Sequence, residues 1–184
     1  MREARIKHAA QEALELWFAD RLAAPSIACR QECRTVDGAG RADVVVAARS
    51  ENGPIVTAVC EAKSRFVRGA LAALRVADGT ALTTGAALQV LRYPANYRVL
   101  ACPENLLADH PGDRGLLVGL CERDGIGLLA VNWYREFDWL VQPRHVDTPL
   151  LWPDCLDGYA AGSQLRERLD FSGNVADFPE IPDL

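Results

Sequence analysis

The chain has 184 residues, 49% hydrophobic and 24% charged, with 20 Lys and Arg against 25 Asp and Glu, a formal net charge of -5. These proportions describe one globular domain able to enclose a core, and they exclude a disordered chain, a collagen-like repeat and a disulfide miniprotein. No run approaches the roughly 20 apolar residues of a membrane helix, and Met1 leads into Arg2 and Glu3 without an apolar secretory stretch, so a cytoplasmic location and no membrane partner are expected.

Residues 3–22 carry Ile6, Ala10, Ala13, Leu14, Trp17 and Phe18 at helical spacing, which predicts an amphipathic helix. Glu3 falls near the middle of that apolar stripe, an unusual place for an acid, whereas Glu12 and Glu15 fall off it. Pro25 closes the region. Strands are predicted over residues 26–36, 42–48 and 55–63, separated by turn signals at 37–40 and 50–53. The third is apolar on both sides, the mark of a central strand in a covered sheet. Two helices follow over residues 66–77 and 80–93, the second stopped by Pro94. Then come a strand over 97–102, a loop or short turn over 105–111, a helix over 114–123, a strand over 126–131 and a sixth strand over 139–141. This order implies an α/β chain, a mixed sheet with helices on both faces. Residues 1–145 are read as the domain. Residues 146–184 are a Pro-rich acidic C-terminal extension, with one helix over 162–169, packing on the domain or on a partner.

Charge is unevenly spread: residues 1–145 carry a balance of +1 and residues 146–184 one of -6. Lys63, Arg65, Arg68, Arg75, Arg92 and Arg98 face only Asp78, so a locally positive strip is expected on an acidic protein. The six cysteines form no C-x-x-C pair and read as reduced core residues, with Cys29 and Cys33 on one face of the first strand. Trp133, Tyr134, Trp139 and Trp152 read as core or interface anchors, and His145 near Asp147 as structural.

One constellation carries chemistry. Glu61 and Lys63 stand two apart at the end of the central strand, so both project from one face that Ile55, Thr57 and Val59 continue as apolar. A carboxylate and an ammonium ending an apolar row are costly unless they serve each other or a ligand. Asp43 opens the preceding strand, and a hairpin pairing would bring it beside Glu61. Two converging carboxylates repel unless a cation lies between them, and oxygen ligands of this kind suit Mg²⁺ or Mn²⁺.

Gly40-Arg41-Ala42-Asp43, 17 intervening residues and Glu61-Ala62-Lys63 resemble the PD-(D/E)XK nuclease superfamily, with Ala42 in place of the proline of its name. The resemblance covers roughly residues 1–131 and implies a restriction-endonuclease-like mixed β-sheet core flanked by helices. It implies a metal-dependent phosphodiesterase acting on nucleic acid, DNA ahead of RNA, with Mg²⁺ or Mn²⁺ as cofactor. Asp43 and Glu61 would hold the metal with the carbonyl of Ala62, and Lys63 would assist the attacking water. Glu3 is the candidate for the first-helix glutamate that many members add at the catalytic and metal centre. Gln89 and Tyr93 fit the Q-x-x-x-Y motif that some members carry on the helix after the lysine. Arg41, Arg65 and Arg68 join them as candidate nucleic-acid contacts, and cutting two strands with one small domain calls for a homodimer. The rival expectation is the same fold without catalysis, serving as a nucleic-acid-binding or assembly module.

Overall fold

The computed structural model describes residues 1–22, 25–38, 40–50, 53–64, 89–108, 111–146 and 154–170. Its frame is a six-stranded mixed sheet in the order β1-β2-β3-β4-β5-β6. The strands are β1 (Ser26–Arg34), β2 (Arg41–Arg49), β3 (Val56–Ala62), β4 (Tyr97–Pro103), β5 (Gly127–Val131) and β6 (Phe137–Val141). The helices are α1 (Glu3–Arg21), α2 (Glu104–Ala108), α3 (Pro111–Asp124) and α4 (Gly162–Asp170), with a 3-10 turn at Cys155–Gly158. β1 to β3 form an antiparallel meander, β3, β4 and β5 run parallel, and β6 returns antiparallel. Parallel neighbours need a crossover, and the chain makes it twice, once through residues 63–96 and once through α2 and α3.

Among the described residues, helix α1 is the element that covers one face of the sheet. It buries Ile6, Ala10, Leu14 and Phe18 against Val44, Val46, Cys60, Val99 and Leu129. Trp17 and Tyr97 meet edge to face at 4.7 Å, and the Arg21 guanidinium lies 4.2 Å from the Trp17 ring. The opposite face packs Val45, Val59, Leu100 and Leu128 against Tyr93, Leu117, Leu156, Leu165 and Leu169. The central strands β2 to β5 are therefore buried on both sides, as their unbroken apolar runs require.

Several sequence expectations need correcting. The stretch expected as a loop or short turn over 105–111 begins as the short helix α2. Cys29 and Cys33 lie on opposite faces, Cys29 against the α1 cluster and Cys33 in the other. The reason is Glu32, whose φ of 58° puts a non-glycine residue in the left-handed region and breaks the alternation. Arg98 leaves the expected positive strip, being buried at 6% exposure with a guanidinium nitrogen 3.4 Å from the Tyr93 carbonyl. Trp133 and Tyr134 are not core: they stand 59% and 86% exposed on the turn between β5 and β6. The helices expected over 66–77 and 80–93 fall outside the described residues except for residues 89–93, where a helical turn ends. Trp152, Arg65, Arg68 and Arg75 also lie outside them. Among the described residues no helix is long and apolar enough to cross a membrane.

Candidate active site

The C-terminal end of β3 and the N-terminal end of β2 meet at one edge of the sheet. Val44 pairs with Cys60, so the antiparallel register carries Asp43 toward Glu61. Asp43 Oδ2 accepts the Ala62 backbone N–H at 2.8 Å, which fixes the carboxylate against the last residue of β3. Both acids are buried, Asp43 at 6% and Glu61 at 2% exposure. The Lys63 backbone N–H bonds to the Ala101 carbonyl at 2.9 Å, and its Nζ donates to Glu61 Oε1.

The Gln89–Tyr93 pair reaches the same place. Gln89 Nε2 donates to the Tyr93 hydroxyl at 2.9 Å. That hydroxyl lies 2.9 Å from the Arg41 carbonyl and 3.3 Å from Glu61 Oε2, and its single proton serves one of them at a time. Gly40 makes this approach feasible: a Cβ there would stand 3.1 Å from the Tyr93 ring.

A second cation enters from α1. Lys7 Nζ lies 2.8 Å from Asp43 Oδ1 and 3.0 Å from Glu3 Oε1, and it also bonds Glu32 Oε1. Glu32 Oε2 in turn meets Arg41 Nε at 2.6 Å. The geometry of β1 and β2 explains how Asp43 reaches a helix on the α1 face. Gln31 pairs with Val44 and Cys33 with Ala42, so Glu32 and Asp43 lie opposite each other. Val44 packs in the α1 cluster and Ala42 in the other, so both strands change face at the Glu32–Asp43 pair.

Electrostatics follow from this crowding. Burial pushes the Glu61 carboxyl above its usual range; Lys63 opposes that shift, Asp43 reinforces it and Tyr93 opposes it. Burial likewise pushes the Tyr93 phenol up to about 12, with Gln89 opposing and Glu61 reinforcing. Burial works against the Lys7 ammonium, but its bonds to Asp43, Glu32 and Glu3 outweigh it and hold its pKa above the ordinary lysine range.

Among the described residues no group of three or more His, Cys, Asp or Glu is arranged to hold a metal ion. Two mutually repelling buried carboxylates nonetheless suit Mg²⁺, which keeps several waters and takes one or two carboxylates plus substrate phosphates rather than a protein cage. Asp43 Oδ1 would have to exchange Lys7 for such an ion.

Of the residues singled out from sequence, Asp43, Glu61, Ala62, Lys63, Gln89, Tyr93 and Arg41 gather here. Among the described residues Glu3 touches the site through Lys7, and its side chain is 47% exposed rather than inward. The reason is reach: one turn further along α1, Lys7 faces Asp43 directly. Sequence reasoning missed Lys7, although it stands three and seven residues before Ala10 and Leu14 on the apolar side. It also missed Glu32, whose left-handed backbone leaves no signal in a strand pattern. In comparisons with known proteins, no family model, no curated protein and no solved structure matches the chain.

Proposed function

We propose that this chain is a metal-dependent nuclease of restriction-endonuclease-like fold, hydrolysing phosphodiester bonds in DNA ahead of RNA. The observation that carries the reading is the convergence of Asp43, Glu61 and Lys63 at the adjoining ends of two paired strands, tied together by the Ala62 N–H on Asp43. The element order supports it too: a helix, a three-stranded meander, a crossover and parallel strands beyond.

In this reading Asp43 and Glu61 would hold Mg²⁺ or Mn²⁺, and the Ala62 carbonyl would be a further ligand. The bound ion supplies charge neutralisation at the phosphate and acidifies water at neutral pH. The protein residues do the positioning. Ala62 N–H holds Asp43 in place, and Tyr93 steadies the remote oxygen of Glu61. Lys63, 28% exposed and paired with Glu61, places a cation where negative charge grows on the phosphoryl oxygens.

The test is cleavage of plasmid, linear duplex, single-stranded DNA and RNA with Mg²⁺ or Mn²⁺. Wild type is expected to cut at least one substrate. D43N and E61Q are expected to abolish cutting, and K63A to slow it at least about 100-fold. Cleavage that survives in E61Q would assign the activity to a contaminant.

One observation favours a second reading, a nuclease-fold binding or assembly module without catalysis. Lys7 already satisfies Asp43 with a cation of the protein's own. Calorimetry with Mg²⁺ and Mn²⁺ separates the two: heat lost in D43A/E61A supports the nuclease, and no binding with nucleic acid present supports the module.

A further inference from the structure

Arg34 and Arg41 end β1 and β2 directly opposite each other, paired across the antiparallel ladder. Like charges in that position repel and weaken a hairpin. Neither can turn its strand away. The Arg34 carbonyl accepts the Ala160 N–H at 3.0 Å on the outer side, and the Arg41 carbonyl accepts the Tyr93 hydroxyl. Both side chains are exposed and line one cleft with Thr35, Gly38 and Gly40. Arg34 also lines the adjoining cleft with Arg30 and Glu32.

Among the described residues a single carboxylate, Glu32, offsets part of this charge. Glu32 meets Arg41, but Lys7 also draws on it. Among the described residues neither Arg30 nor Arg34 has a carboxylate partner, and Arg30 bonds only the neutral Gln164 side chain. A repulsive pair held rigid in an open cleft is relieved by an anion that both guanidiniums grip, and guanidinium geometry matches phosphate oxygens. The cleft lies on the same sheet edge as the carboxylates. Arg41 is two residues from Asp43, about 7 Å along an extended strand, comparable with the step between successive phosphates of a nucleic-acid chain.

We infer that Arg34 and Arg41 clamp a backbone phosphate neighbouring the one presented to Asp43 and Glu61. The ligand class rests on the nuclease reading. The clamp reads phosphate rather than bases, so it supplies affinity and register without sequence preference.

The experiment is binding of fluorescein-labelled 20-nucleotide single-stranded and duplex DNA to the full chain in EDTA, titrated over salt. R34A and R41A are each expected to weaken binding severalfold for both probes and to reduce the log–log salt slope by about 1. R123A, at the opposite edge of the sheet, should change neither. Because R34A removes a repulsion, its Tm should equal or exceed that of wild type, which separates lost contact from lost folding. Unchanged affinity and slope in R34A and R41A, or no binding by wild type, would overturn the clamp. Arginine-dependent binding by a wild type that cuts nothing would sustain the clamp and sink the nuclease reading. Cleavage with arginine-independent binding would do the reverse.

Discussion

At the scale of single residues, the site is a chain of charges each answered by a neighbour: Arg41 to Glu32, Glu32 to Lys7, Lys7 to Asp43, and Glu61 to Lys63. Glu61 is the member whose ionisation opposes folding. Its folded pKa lies above its unfolded value, so the native state binds the proton more tightly and stability falls as pH rises between the two values. The E61Q substitution removes this effect. In EDTA the variant should melt above wild type at pH 7.5, and the gap should close below the ordinary carboxylate pKa of about 4.3. Thermal melts at both pH values check it; a variant less stable at pH 7.5 would show that the Lys63 bond outweighs burial. Glu61 and Lys63 were legible because two-residue spacing on a strand fixes a common face, and Asp43 because hairpin pairing brings the start of β2 beside the end of β3. Glu32 was not, because a left-handed φ at a glutamate depends on the contacts around it and costs on the order of 1–3 kcal/mol that only the folded surroundings offset.

At the scale of elements, the apolar periodicities of α1, β2 and β3 announced them because each buries the face its pattern marks. The turn at Trp133–Tyr134 misled, since aromatic residues are read as core while a rigid turn can hold them in solvent. Asn132 Oδ1 accepts the backbone N–H groups of Tyr134 and Glu136 at 2.9 and 3.0 Å and builds that turn without burying either ring. The contact of α1 with the sheet edge was also hidden, because a lysine pattern says nothing about its partner. Lys7 ties the first turns of α1 to β1 and β2, and its buried partner is Asp43. The pairs with Glu3 and Glu32 are more exposed and contribute little. K7M leaves Asp43 buried without its cation and should destabilise the chain by about 3 kcal/mol near neutrality. The raised pKa of Lys7 means this contribution is complete below its ordinary value of 10.5 and fades as pH rises above it. Urea unfolding in EDTA should therefore show a constant gap between about pH 6 and 9 that narrows in stronger alkali. A gap under about 0.5 kcal/mol would show that Asp43 is satisfied by the Ala62 N–H alone.

For the whole molecule, the acidic C-terminal segment proves continuous with the core in its described part. Leu156, Tyr159, Leu165 and Leu169 are buried on the face of the sheet opposite α1. Thr35 forms an isolated bridge with Tyr159, and the Val36 N–H bonds the Gly158 carbonyl at 3.0 Å, so the segment is tied to the chain just after β1. Gly158 sits where any Cβ would fall 2.2 Å from the Pro94 ring, next to the Tyr93 that touches Glu61. Three of the four acids in residues 154–170 pair within the fold: Asp154 and Asp157 with Arg166, and Asp170 with Arg49. A segment that shares its core with β2 and β3 should unfold with them. Leu165→Ala should cost about 3 kcal/mol and lower Tm by on the order of 6–12 °C. It should shift one cooperative transition, seen alike by far-UV circular dichroism and by tryptophan fluorescence, because none of the tryptophans lies in residues 154–170. Two separated transitions, with the tryptophan signal unmoved, would mean that residues 154–170 dock on a core that folds without them, and that the cleft beside Arg34 is assembled afterwards.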